Sequence, residues 1–248
     1  MILLYILEIL LGLFLLYVLF LGVCSLLVNP EREYAKNSNF YRFLLDSATA
    51  AAMKLLRIRV HTNGMEMLPE DTKVLFVSNH RSNFDPIVTW YALKERKIAF
   101  VSKPSNFKIP FFGRIIRKCC FLPIDRENPR KAIVTINKAA KLLQKQEVSI
   151  GIYPEGTRSK TGQLLPFHNG VFKIAQKAES PIAVLSITGT EKISGRTPFQ
   201  PTDVYLDVLE VFPGENIKES KTETIGMMVR HLILTNTEKR DVIWQKDM

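Results

Sequence analysis

Val74-Leu75-Phe76-Val77-Ser78-Asn79-His80-Arg81-Ser82-Asn83-Phe84-Asp85 is an apolar run that stops at a polar loop carrying an imidazole and, five residues on, a carboxylate. The apolar part is short and β-rich, the pattern of a strand buried on both faces. Three more runs of the same kind follow, at Ile98 to Ser102, Val148 to Tyr153 and Ile182 to Thr188, with helical patterns between them. The clearest helix is Pro129 to Gln144, with Pro in the first turn and Ile133, Ile136, Ala140 and Leu143 at helical spacing. Val204 to Phe212 alternates as a later strand, and Thr222 to Glu238 reads as a helix with Thr222 as a candidate cap. The expected fold class is therefore α/β over residues 57–248, a mixed, mostly parallel sheet flanked by helices.

The loop after the first run brings chemistry to a strand end, where α/β folds place it. If that loop folds back, Asp85 accepts a hydrogen bond from one ring nitrogen of His80 and leaves the other free to take a proton from a hydroxyl. Taken alone, the pair also reads as a satisfied histidine in a turn. A second polar loop, Tyr153-Pro154-Glu155-Gly156-Thr157-Arg158-Ser159, begins where another apolar strand runs out. Arg158 offers a planar fork of donors matched to phosphate, Gly156 permits close backbone approach, and Thr157 and Ser159 add hydroxyls. The run can clamp a phosphate monoester, or it can be a solvated turn. Gly151 to Arg158 has glycines spaced somewhat like a nucleotide-binding loop, but Thr157 and Arg158 stand where Lys and Ser or Thr are required, which excludes that reading.

Toward the N-terminus, Ile9 to Val28 holds no charged residue. About 20 helical residues span roughly 30 Å, the thickness of a bilayer core. The segment is read as a retained membrane anchor (1–28) and not a cleaved signal, because Glu8 and no basic residue precedes it. A helix lying flat or re-entering one leaflet is the alternative, since Glu8 is costly in hydrocarbon. Arg32, Lys36 and Arg42 follow the run, so the positive-inside rule places the remaining chain on the cytoplasmic side. Within 29–56 a second amphipathic helix is expected, capped by Ser38 or Asn39, with Phe40, Leu44, Leu45, Ala48, Ala52, Leu55 and Leu56 near one stripe that lies on lipid or packs on the domain.

The net charge of +10 favours anionic partners, but no nucleic-acid module or aromatic-basic stripe accompanies it. Cys24, Cys119 and Cys120 form neither a zinc spacing nor a disulfide framework and read as small buried residues in a reducing compartment. His61 and His231 have no recognisable partner and read as structural.

Together the two polar loops resemble the glycerolipid acyltransferase family that includes the 1-acylglycerol-3-phosphate acyltransferases. His80 and Asp85 occupy the family's H-x4-D motif, and Glu155 to Ser159 reproduce its E-G-T-R-S motif. Lys103 followed by Ile109-Pro110-Phe111-Phe112-Gly113, then Ile124-Asp125-Arg126, and finally Pro181-Ile182-Ala183-Val184 also look like the family, so the resemblance covers Leu75 to Thr188. Ser105 and Asn106 stand where the family often has an acidic residue and Leu. His168 and Asn169 stand where a basic residue often precedes Gly170, and both departures bear on substrate preference.

The resemblance implies an enzyme that acylates the sn-2 hydroxyl of lysophosphatidic acid at the lipid bilayer to form phosphatidic acid. The donor is acyl-CoA or acyl-carrier protein, with no metal and no cofactor. It implies His80 as general base and Asp85 as its orienter. Arg158 and Lys103 would hold the acceptor phosphate with help from Arg126. Glu155 would shape the acceptor site or a neighbouring basic residue, and Gly156, Thr157 and Ser159 would complete the binding loop. Three rivals remain: acylation of another lysolipid or polar-headed acceptor, a hydrolase activating water with His80, and a non-catalytic membrane lipid-binding protein.

Overall fold

The structure, a computed structural model, describes residues 1–246 of the chain and the side chains of residues 1–241. Helix α1 (Ile2–Leu26) is long and apolar enough to cross a membrane, and only 17% of its most apolar window is buried, which separates it from a core helix. It takes in Glu8 and ends at Leu26, ahead of Val28. The foot of α1 belongs to the domain: Gly22, Cys24 and Ser25 are buried, as is Val28 just beyond it. Helix α2 (Asn39–Leu55) clasps that foot, with the Tyr41 hydroxyl donating to the Cys24 carbonyl at 3.0 Å and Tyr17 meeting Ser47 at 2.9 Å.

Ser38 caps α2 through its carbonyl, which accepts the Arg42 N–H at 2.9 Å, and its side chain makes no cap bond. The stripe that packs on the domain is Tyr41, Leu44, Leu45, Thr49 and Met53. Phe40 and Leu55, expected in it, are exposed, because position 40 sits about 100° around the helix from Tyr41 and Leu55 is the last helical residue. Arg42 does not face solvent either. It is buried over the Trp90 ring at 4.6 Å and donates to the Ile98 carbonyl, leaving Arg32 and Lys36 as the exposed cations after α1.

The elements that follow are β1 (Ile58–Asn63), β2 (Leu75–Ser78), α3 (Asp85–Ala92), β3 (Ile98–Ser102), α4 (Phe112–Lys118), β4 (Leu122–Pro123), α5 (Pro129–Gln144) and β5 (Ser149–Ile152). After them come α6 (Lys173–Ala178), β6 (Ile182–Thr188), α7 (Ile193–Arg196), β7 (Thr202–Phe212), α8 (Gly214–Ile217) and α9 (Thr222–Lys246). The seven strands form one sheet in the order β1-β7-β6-β2-β5-β3-β4, parallel throughout except for β6 against β7. This is the mixed, mostly parallel α/β architecture expected.

Neighbouring residues in a strand face opposite layers. Phe76 and Phe100 point into a core shared with Tyr41, Leu44, Trp90 and Ile115, while Leu75, Val77 and Ile150 point into a second core with Ile136, Leu143, Ile174 and Val229. Gly151 makes room for this arrangement, since a Cβ there would lie 2.5 Å from the Phe100 ring. Helix α5 has the bounds read from sequence, and the Asn128 side chain caps it by accepting the Lys131 N–H at 3.1 Å. Ile133 is the exception in its stripe and is 55% exposed. Cys24, Cys119 and Cys120 are buried free thiols, and burial pushes Cys119 and Cys120 up to about 12. His61 does have a partner: its Nε2 lies 2.8 Å from Asp203 Oδ1, and its ring stacks on Tyr205.

Candidate active site

β2, β3, β4, β5 and β6 run parallel, so the loops that leave their C-terminal ends emerge along one edge of the sheet. In this register Val77 stands opposite Ile152, and the residue three beyond each brings His80 beside Glu155. The His80 N–H donates to Glu155 Oε1 at 2.6 Å, and the Ser159 N–H donates back to the His80 carbonyl at 2.9 Å. The two polar loops are thus joined through the backbone of the histidine itself. On its other side β2 is pinned to β6 by Asn79, whose amide donates to the Ile187 carbonyl and accepts the Ile187 N–H, both at 2.8 Å.

The loop after β2 folds back on its own carboxylate. Asp85 Oδ2 accepts from His80 Nδ1, the Arg81 N–H and the Ser82 N–H, each at 2.7 Å, and Oδ1 accepts from the Thr190 hydroxyl. Asp85 has no exposed surface. A carboxylate only accepts, so Nδ1 is the nitrogen that carries a proton toward Asp85, and in the neutral imidazole Nε2 is the nitrogen with the lone pair. Among the described residues nothing hydrogen-bonds to Nε2. The His80 ring stacks on Tyr153 with centroids 4.3 Å apart, which fixes the imidazole plane. Burial, and then the charge of Asp85, holds the Tyr153 phenol well above its ordinary value, so it stays neutral beneath the ring.

His80 opens onto a cavity of about 490 Å³ whose wall also holds Lys103, Arg126, Thr157 and Arg158, with Ile87, Ile109 and Phe112 on its apolar side. The side chains of Lys103, Arg126 and Arg158 form no ion pair or hydrogen bond among the described residues, so three cations face one cavity without a counter-ion. Desolvation by the surrounding walls holds Arg126 below the ordinary arginine value, although much of its surface is exposed. A second cavity of about 470 Å³, mostly apolar, adjoins the first through Val101, Arg126 and Tyr153 and continues between Ile124, Ile133 and Val171.

The residues expected at the site are therefore gathered, but not all in the expected way. His80, Lys103, Arg126, Thr157 and Arg158 share one cavity. Glu155 does not face it: the residue is 3% exposed and its carboxylate is occupied by the N–H groups of His80 and Leu165, at 2.6 and 2.8 Å. Burial raises its pKa, and those two donors partly offset the rise. Ser159 is buried as well and engages His80 through its backbone, while its own hydroxyl has no hydrogen-bond partner among the described residues. Gly156, at φ +70°, lines the adjoining cavity, and a Cβ there would lie 2.9 Å from the His168 ring. Asn79, Tyr153 and Thr190 carry no motif. Asn79 and Tyr153 do stand beside motif residues at strand ends, the one local signal that could have marked them.

A family profile described as Acyltransferase matches residues 58–188, more than half of the chain. A chloroplastic 1-acyl-sn-glycerol-3-phosphate acyltransferase of Brassica napus is 38% identical over 131 residues, 52% of this chain and 37% of its own. The 1-acyl-sn-glycerol-3-phosphate acyltransferase of Salmonella typhimurium is 31% identical over 157 residues, 63% of this chain and 62% of its own, so this chain spans between about a third and two thirds of these relatives. The crystal structure of the 1-acyl-sn-glycerophosphate (LPA) acyltransferase PlsC from Thermotoga maritima superposes with a TM-score of 0.68 at 26% identity, covering 81% of each chain. With a histidine and carboxylate pair in the loop after a parallel strand and a profile match across six of the seven strands, the chain belongs to the acyltransferase family.

Proposed function

We propose that this protein transfers a fatty acyl group from a thioester donor, acyl-CoA or acyl-carrier protein, to the sn-2 hydroxyl of 1-acylglycerol-3-phosphate, forming phosphatidic acid. One observation carries the reading: His80, with Nδ1 held by buried Asp85, opens onto a cavity where three cationic side chains have no counter-ion. The names of the relatives, which specify that acceptor in those proteins, support it.

In this scheme Nε2 removes the acceptor hydroxyl proton as the oxygen attacks the thioester carbonyl. The C–O bond forms, the carbonyl electrons shift to oxygen, and Asp85 stabilises the imidazolium. Collapse of the tetrahedral adduct breaks the C–S bond, and the imidazolium returns its proton to the departing thiolate. No acyl-enzyme, cofactor or metal is required. Arg158 and Lys103, with Arg126, hold the phosphate dianion, and the apolar cavity beyond Arg126 offers room for an acyl chain. Helix α1 anchors the catalytic domain on the cytoplasmic side, within reach of soluble donors.

Hydrolysis is the competing chemistry for the same pair, and thiol release distinguishes the two. Purified protein given acyl-CoA alone should release thiol at only a small fraction of the rate seen when lysophosphatidic acid is added. Equal rates with and without the lysolipid would contradict transfer.

A further inference from the structure

Thr190 lies two residues beyond the segment matched by the family profile, yet its hydroxyl is, among the described residues, the one hydrogen-bond donor to Asp85 Oδ1. The other carboxylate oxygen is crowded by three donors from its own loop. We infer that Thr190 is a positioning residue for the reaction: by holding Oδ1 it sets the rotation of the Asp85 carboxylate and, through it, the direction of His80 Nε2. This rests on the general-base role proposed above for His80.

The placement follows from the sheet. Asn79, immediately before His80, grips both backbone groups of Ile187 at 2.8 Å, which locks the end of β6 to the end of β2. The chain then turns at Gly189, at φ +92°, where a Cβ would lie 2.5 Å from the Asp203 carbonyl, and the next residue is delivered against Asp85. Asn79, Ile187, Thr190, Asp85 and His80 thus form a closed circuit of covalent and hydrogen-bonded links. Thr190 has no exposed surface, and neither has Asp85, so water cannot readily replace the hydroxyl. Without it a buried carboxylate oxygen has no donor, and the rotation of the carboxylate about χ2, a soft torsion, is set by the contacts to Oδ2 alone. A misdirected base forfeits part of the about 10² to 10⁴-fold that general-base help supplies.

The test is steady-state kinetics of the full-length protein in detergent or vesicles, with acyl-CoA and lysophosphatidic acid varied separately. Thr190→Val fills the same space without the hydroxyl and should lower kcat about 10- to 100-fold while both KM values stay within about threefold. Thr190→Ser restores the donor and should keep at least about a third of kcat. In a His80→Ala background, Thr190→Val should cost nothing further. The inference is overturned if Val and Ser variants lose activity equally, if the loss falls on KM, or if the two losses multiply. Should Thr190→Val fail to fold in a thermal scan, Thr190→Ser against Thr190→Ala isolates the hydroxyl, and equal kcat in that pair overturns it. A well-folded His80→Ala protein with normal turnover would instead remove the base assignment itself, so the two failures are separable.

Discussion

The carboxylate of a residue 3% exposed must satisfy both oxygens or give up its charge, and Glu155 satisfies them with the N–H groups of His80 and Leu165. That makes the glutamate of the second loop a clamp on the backbone of His80 in the first. Glu155→Gln keeps one acceptor but aims an NH2 group at a backbone donor. The expected cost is about 1–3 kcal/mol in denaturant unfolding, with a loss of kcat from the freed His80. A variant of unchanged stability would show that the clamp is not needed. Arg158 has the opposite character, exposed and without a counter-ion, so Arg158→Ala should raise KM for lysophosphatidic acid at least tenfold and leave KM for the donor within about twofold. Lys103→Ala should do the same more mildly, and unchanged acceptor KM in both would contradict the phosphate assignment. The His80 and Asp85 pair was legible because its members sit five apart on one loop. Thr190 was not, because it reaches Asp85 across 105 residues of sequence, and only the register of β2 against β6 brings them together.

Among the elements, the buried strands declared themselves as apolar runs, and β3 and β6 have the bounds read from sequence. The edges did not. β1 reads Ile-Arg-Val-His-Thr-Asn, with Arg59 and His61 facing outward to meet Asp203, a partner 144 and 142 residues away that no local pattern reveals. β4 is two residues long and contains Pro123, too short for any periodicity. The apolar helix α1 was legible, but its division into a bare shaft and a buried foot needed the packing of α2. Phe111 adds to that foot: at φ +58° it closes a tight turn in which the Phe112 N–H reaches the Pro110 carbonyl at 2.6 Å, and its ring covers Gly22. Two truncations should therefore differ. Removing residues 1–20 should release the protein from membranes with little change in Tm. Extending the deletion through Val28 strips Cys24 and Val28 from the core and should cost about 2–4 kcal/mol, several degrees of Tm. Full solubility of the intact chain in low salt without detergent, or equal Tm for both truncations, would contradict this division.

For the whole molecule, the parallel sheet explains why so few residues specify the chemistry. Four strand ends deliver His80, Asp85, Glu155 and the cations Lys103, Arg126 and Arg158 to one edge. The sheet and its two cores supply the rigidity that keeps those groups in register. The exposed loop residues Thr157 and Arg158 can thus change with limited effect on folding, since surface substitutions usually shift stability by under about 0.5 kcal/mol. The most direct test of the proposal is formation of labelled phosphatidic acid from acyl-CoA and lysophosphatidic acid by vesicle-bound wild type, His80→Ala, Asp85→Asn and the double variant, each with a thermal unfolding control. Wild type should form the product. His80→Ala should unfold within about 2 °C of wild type and turn over at least about 100-fold more slowly, and the double variant should be little worse, because the pair acts as one unit. Near-normal phosphatidic acid formation by well-folded His80→Ala would contradict the account at its centre.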